Sequence, residues 1–303
     1  MSSQLTGLIA APFTPMCVNG EVNLDVIEQY AAWLTQQAVS GAFICGSTGE
    51  SLSLSLAERL AIAERWCQAA GKFLPVIVHV GHTCLADARR LAAHAQQIGV
   101  AAIATMAPCF FRPSRMAELV DFCAQIASAA PQLPFYFYHM PSMTGVNFSM
   151  VDFLNAAKER IPTLAGIKFT YEDIMDYSRC LNIDGGRFTM LFGRDEILLS
   201  ALAVGARGAV GSTYNYAAPI YHRLIAAFQH GDIKTAQQEQ ARACEMVALL
   251  GQFGGLPAGK AIMKMQGIDC GPVRLPLRTL TDAEYAQLKH ALDTCGFFSA
   301  CCA

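Results

Sequence analysis

From residue 7 to residue 212 the chain alternates between two hydrophobic patterns. One is a short apolar run bounded by Gly, Pro or polar residues, over 7–11, 41–45, 75–80, 101–106, 134–138, 164–169, 188–192 and 208–212. A parallel strand covered by helices on both faces has no wet side, and it reads in this way. The other pattern is the three- or four-residue recurrence of a helix with one apolar face. Val26, Ile27, Tyr30 and Leu34 share such a face behind Asn23, which the pattern predicts as an N-cap. Ser55 and Glu58 form a capping box ahead of a helix over 56–70, and Gly99 stops one over 85–98. Further helices fall over 116–129, 150–158, 174–181 and 196–204.

Eight strand-then-helix units, counting a helix after the last strand, predict an α/β fold of the (β/α)8 TIM barrel type. A doubly wound open sheet is the alternative, but no G-x-G-x-x-G follows the first strand. Beyond Ser212 the pattern is helical only, over 220–229, 233–252, 258–265 and 283–292, the last behind a capping box of Thr281 and Glu284. The first of these closes the barrel. The others are additional C-terminal helices that must cover a flank of the barrel or a partner subunit. The expected organisation is a catalytic barrel over 1–230 and a helical extension over 231–303 packed on it.

Composition narrows the class. With 53% hydrophobic residues, 15% charged and a formal net charge of -2, the 303 residues suit one large buried core. The near-neutral balance and the lack of a Lys/Arg run argue against nucleic acid. No apolar stretch is long enough to span a bilayer. The start, Met1-Ser2-Ser3-Gln4, lacks the basic-then-apolar order of a signal peptide, and the end, Ala300-Cys301-Cys302-Ala303, lacks a prenylation motif. Twelve cysteines without repeating spacings read as reduced, mostly buried thiols in a cytoplasmic protein rather than as a disulfide framework. The densest ligand cluster, His79-Val80-Gly81-His82-Thr83-Cys84, starts at a strand end and has no second cluster to complete a metal site.

The chemistry converges on Leu164-Ala165-Gly166-Ile167-Lys168-Phe169-Thr170. A lysine in a buried strand loses hydration as an ammonium, so burial favours the neutral amine, a nucleophile suited to Schiff-base chemistry on a carbonyl. The alternative is a lysine that snorkels from the strand end into solvent. In a parallel barrel the active site lies at the C-terminal strand ends. Those ends carry Gly46-Ser47-Thr48-Gly49-Glu50, Tyr138, Lys168 with Thr170, Gly193-Arg194-Asp195-Glu196 and Gly211-Ser212-Thr213. The first loop could cradle an anion such as a carboxylate, or be an ordinary turn. Tyr138 is a candidate acid/base or a core tyrosine. Asp195 and Glu196 could bind substrate or cap a helix.

Taken together, Gly46-Ser47-Thr48-Gly49-Glu50, Tyr138-His139-Met140-Pro141 with Thr144-Gly145-Val146, Gly166-Ile167-Lys168-Phe169-Thr170 and Gly211-Ser212-Thr213-Tyr214-Asn215 resemble the N-acetylneuraminate lyases, within the dihydrodipicolinate synthase-like class I aldolases. The resemblance spans nearly the whole chain, helical tail included. It implies a homotetrameric lyase that splits sialic acid to N-acetylmannosamine and pyruvate with neither metal nor cofactor. It implies Lys168 as the Schiff-base residue and Ser47 and Thr48 as carboxylate ligands. Tyr138 would move the proton of the sugar C4 oxygen, and Thr170, Gly193, Asp195, Glu196 and Ser212 would bind the remaining hydroxyls.

Two departures bear on this. Dihydrodipicolinate synthases generally carry an arginine where this chain has Met143, which weakens a condensing role with an amino-aldehyde. Many relatives also have a tyrosine in the segment that here reads Pro108-Cys109-Phe110-Phe111, so a relay through that hydroxyl is not expected. The alternatives are an aldolase for another 2-oxo sugar acid, a dihydrodipicolinate synthase-like pyruvate condensing enzyme, or an inactive barrel serving as a binding or scaffold protein.

Overall fold

The computed structural model describes residues 5–301; residues 1–4 and 302–303, including part of both chain ends read above for leader and prenylation signals, lie outside the described residues. Eight parallel strands close a barrel in strict sequence order: β1 Gly7–Ala10, β2 Gly41–Ile44, β3 Val76–His79, β4 Ala102–Met106, β5 Phe135–His139, β6 Leu164–Phe169, β7 Thr189–Phe192 and β8 Gly208–Gly211. β1 pairs with β8 from Gly7↔Gly208 to Ala10↔Gly211, which closes the ring. Every strand lies in or within one residue of an expected apolar run.

Alternate strand residues fill the barrel, while the others pack outward against the helices. Ile9, Phe43, Ile77, Tyr136, Tyr138 and Leu191 belong to the inner cluster. Ala42, Ile44, Val76, Val78, Ile103 and Ile167 join the larger core beneath the helices. This two-sided burial explains why the strands read as unbroken apolar runs.

The helices correct several expectations. The first runs Val26–Gln36 behind Asp25, and Asn23 is not its cap. The Asn23 side chain instead accepts the Asp25 amide at 3.2 Å, closing a local turn that competes with capping. Ser55 and Glu58 do form a capping box, as do Thr281 and Glu284. The helix expected over 196–204 opens as a 3-10 turn, Asp195–Ile197, before Leu198–Ala203. The helix expected over 116–129 ends at Ala127. Pro141–Thr144, after β5, forms an extra short helix. Of the eleven described cysteines only Cys45, Cys123, Cys180 and Cys270 are buried, a correction to the expectation that most are. No helix is long and apolar enough, among the described residues, to cross a membrane.

The C-terminal helices lie across the barrel mouth and flank. Helix Ile233–Gln252 packs along Ala218–Gln229, with Glu239 held by Arg223 at 2.9 Å and Arg242 at 2.7 Å. Helix Leu256–Met265 presses Gly259 onto Phe13, with so little space that a Cβ there would fall 2.4 Å from the ring. These contacts bring the tail to the strand ends that carry the polar residues.

Candidate active site

Lys168, next to last in β6, is 4% exposed. Its Nζ stands 4.0 Å from the centre of the Phe43 ring and 4.1 Å from that of Tyr138. No carboxylate lies within ion-pair distance of it among the described residues. Burial takes its pKa down from 10.5 to about 7, opposed by the charge of Asp195. The snorkelling alternative is thereby set aside, since the amine points among rings rather than into solvent. The other candidate amines differ: Lys260 is paired with Glu50 at 2.8 Å, and Lys264 with Asp269 at 2.9 Å on the surface.

Tyr138 pairs directly opposite Lys168 in the β5–β6 register. Its hydroxyl lies 3.0 Å from Ser47 Oγ, either able to donate, and 2.9 Å from Met140 Sδ. Burial raises its pKa to about 12, with the neighbouring Ser47 and Thr170 hydroxyls pulling the other way. At neutral pH it is a phenol, suited to relaying a proton rather than resting as a base.

A cavity of about 340 Å³ opens beside Ser47, the hydrogen-bond partner of Tyr138; neither Tyr138 nor Lys168 is on its lining. Ser47, Thr48, Asp195, Glu196 and Ser212 line one side of it. Val247, Leu250 and Leu256 of the C-terminal helices form an apolar wall, and Met143 stands at the edge. Thr170 and Gly193 are not on this lining; they pack on each other. A Cβ at Gly193 would fall 2.0 Å from Thr170 Oγ1, so only glycine fits. Thr170 Oγ1 is buried without a hydrogen bond.

Asp195 is not a helix cap. Its Oδ2 accepts from the Thr213 amide at 3.0 Å and from Thr213 Oγ1 at 2.6 Å, while Oδ1 is buried without a partner. Burial raises its pKa to about 6, against the Thr213 hydrogen bonds that favour the carboxylate. A Cβ at Gly211 would land 1.9 Å from Oδ1, so that glycine makes room for the carboxylate. Glu196 sits at the rim, 3.0 Å from an Arg194 guanidinium that also grips Glu172. Phe43, Thr213 and the wall of the C-terminal helices were not singled out from sequence. Phe43 and Leu256 read there as ordinary apolar residues, and only Thr213 carried a signal, its place in Gly211-Ser212-Thr213.

The loop Gly46–Glu50 is held in an unusual shape. Cys45 and Glu50, which bound it, have φ of 56° and 63°. Each such non-glycine residue costs about 1–3 kcal/mol and persists only where surrounding contacts dictate it. His79 is buried, its Nδ1 near Ser51 Oγ and the Cys45 carbonyl, while His82 accepts the Cys84 amide. A larger cavity of about 550 Å³ lies at the opposite barrel end, beside Thr189 and Gly208 at the strand starts. Among the described residues its one charged lining residue is Arg207, and the lining includes no histidine, cysteine, lysine or carboxylate.

A closed parallel barrel that buries a lysine next to last in β6, with a cavity at its strand ends, defines the class: a (β/α)8 barrel carrying a desolvated amine. Residues 4–295 match the dihydrodipicolinate synthetase family, and the chain belongs to it. It is 43% identical over 296 residues to the N-acetylneuraminate lyase of Gallus gallus, covering 96% of each chain. It is 46% identical over 278 residues to N-acetylneuraminate lyase A of Xenopus laevis, covering 90% of this chain and 91% of that one. Among solved structures, Proteus mirabilis N-acetylneuraminate lyase superposes with a TM-score of 0.95 at 41% identity, over 97% of this chain and 100% of the other.

Proposed function

We infer that the chain is a class I aldolase that cleaves N-acetylneuraminate reversibly to N-acetyl-D-mannosamine and pyruvate. The observation that carries the reading is Lys168: buried, without a carboxylate partner and held near neutrality beside Tyr138, whose hydroxyl contacts Ser47 of the cavity wall. The free amine adds to the C2 carbonyl, and loss of water leaves a protonated imine. Ser47 and Thr48 hold the adjacent carboxylate, which fixes the carbonyl over Nζ. The imine accepts the C3–C4 bonding electrons, and an enamine of pyruvate forms. Tyr138 takes the C4 hydroxyl proton while passing its own towards Ser47, 3.0 Å away. Protonation of the enamine at C3 and hydrolysis of the imine release pyruvate and free Lys168.

Asp195, Glu196 and Ser212 are proposed to face the rest of the sugar, whereas Thr170 and Gly193, packed on each other off the lining, shape the strand ends behind it. The open Oδ1 of Asp195 can accept one hydroxyl, and the other carboxylate oxygen is already taken by Thr213. Met143 puts no cation at the cavity edge, which favours a polyol over a second carboxylate. A barrel over 1–230 with a helical extension over 231–303, assembled as a cytoplasmic homotetramer, completes the proposal. The exposed Phe110 and Phe111 support the assembly.

Borohydride reduction in the presence of pyruvate tests the chemistry. One reduced pyruvyl adduct should appear by mass in the peptide carrying Lys168, and none in Lys168→Ala. Release of pyruvate from N-acetylneuraminate, absent from other 2-oxo sugar acids, should accompany it. An adduct that survives in Lys168→Ala would transfer the role to another lysine, and no adduct in the parent chain would remove the aldolase reading.

A further inference from the structure

The loop that carries Ser47 and Thr48 is tied to the tail of the chain by a buried ion pair. Glu50 Oε1 lies 2.8 Å from Lys260 Nζ, and the two side chains are 2% and 3% exposed. Glu50 Oε2 accepts the Arg274 amide at 2.8 Å, and Lys260 donates to the Pro272 carbonyl at 2.6 Å. The Arg274 side chain reaches on to the carbonyls of Gly20 and Ser53 and to Glu58. Just before Glu50, the Gly49 carbonyl accepts Thr14 Oγ1 at 2.7 Å.

Glu50 is also one of the two left-handed residues that bound the loop. Such a conformation relaxes unless neighbouring contacts hold it. Lys260 lies one turn beyond Leu256, which with Gly255 forms part of the cavity wall facing Ser47 and Thr48. The pair therefore joins two sides of one cavity that are more than two hundred residues apart in sequence. Neither residue is on the cavity lining, and their charged groups are engaged with each other and with the backbone of the tail.

We propose that Glu50 and Lys260 are a positioning pair, whose charge-to-charge contact holds Ser47 and Thr48 in the geometry that binds the substrate carboxylate. This rests on the aldolase reading above. The pair acts through complementarity. Removing one charge strands the other in the interior, where it draws in water or turns away, and the loop relaxes. Removing both leaves no buried charge to solvate, so the loop relaxes less than in either single variant. The signature is a double variant less impaired than either single one.

The test is the pyruvate concentration that half-saturates borohydride trapping, measured on the full chain, Glu50→Gln, Lys260→Met and the two combined. Each single variant should need about tenfold more pyruvate, with the trapped maximum unchanged. The double variant should return to within about threefold of the parent. A merely structural pair would lower the maximum, through loss of folded protein, and leave half-saturation alone; that result overturns the proposal. So does a double variant as impaired as the worse single one. If a single variant does not fold, Glu50→Asp keeps the charge but shortens the reach: raised half-saturation supports the proposal, and an unchanged value overturns it. Parent-like half-saturation in Glu50→Gln with trapping intact removes the positioning pair alone, whereas no trapping in the parent removes the aldolase reading with it.

Discussion

Lys168 and Tyr138 face each other across the β5–β6 pairing, the lysine's Nζ 4.1 Å from the centre of the tyrosine ring. One environment moves their ionisations in opposite directions, the amine down to about 7 and the phenol up to about 12. Burial penalises the charged form, and the charged form is the protonated lysine but the deprotonated tyrosine. Near pH 7 the pair is thus a largely neutral amine beside a neutral phenol, a nucleophile next to a proton carrier.

The pH dependence of imine formation should follow that amine. The rate of pyruvate trapping is expected to rise about tenfold per pH unit below 7 and to level off above it, because only the free amine attacks. Rapid-quench borohydride trapping between pH 5.5 and 9 measures this. A rate that keeps climbing to pH 10 would mean that Lys168 titrates like a solvated lysine.

The same shift has a consequence for stability. In the unfolded chain the lysine holds its proton to about 10.5, whereas in the native barrel it gives it up near 7. The native state therefore carries a penalty that is complete below pH 7 and disappears as pH rises towards 10.5. Lys168→Met should remove it, raising stability at pH 7 by on the order of 4 kcal/mol and losing most of that advantage by pH 10. Thermal melts of both proteins across pH 6–10 would detect it, and a Met variant less stable than the parent at pH 7 would contradict it.

The barrel was legible because its strands are buried on both faces. Unbroken runs such as Val76–His79 leave little else for the chain to do, and most of the site residues follow from strand ends. What escaped the sequence is what only tertiary packing decides. Asn23 reads as the cap of the first helix, yet its side chain closes a local turn onto the Asp25 amide instead. Asp195 looks like a helix-opening carboxylate, yet its partner is Thr213, from the next strand end. Thr170 and Gly193 are strand-end residues as expected, but they press on each other instead of lining the cavity. The Glu50–Lys260 pair has no local signal at all, because neither residue's neighbours foretell a contact across the mouth of the barrel.

Phe110 and Phe111, after β4, present two edge-to-face rings that are 77% and 85% exposed. Adjacent apolar rings of this size are more stable covered by a partner than in water. The protein should run as a homotetramer by light scattering at micromolar concentration, and the double substitution Phe110→Asp with Phe111→Asp should shift it to smaller species. A monomeric parent, or a double variant that stays tetrameric, would place the subunit contact elsewhere.

The roles of Tyr138 and Glu196 separate in kinetics. Tyr138→Phe removes the hydroxyl beside Ser47 but keeps the ring against Lys168, so pyruvate trapping should persist. Cleavage of N-acetylneuraminate needs the C4 proton moved, and kcat should fall by about a hundredfold or more. Glu196, at the rim against Arg194, stands further from the amine, and Glu196→Gln should raise KM with little change in kcat. Asp195→Asn lies between these cases. The amide can keep one Thr213 contact, but its NH2 cannot accept, so both KM and the order of the Ser212–Thr213 turn should suffer. Steady-state kinetics on the three variants, with N-acetylneuraminate and a shorter 2-oxo sugar acid, distinguish the assignments. If Tyr138→Phe cleaves at the parent rate while Glu196→Gln loses turnover on both substrates, the proton carrier is at the rim and not beside the lysine.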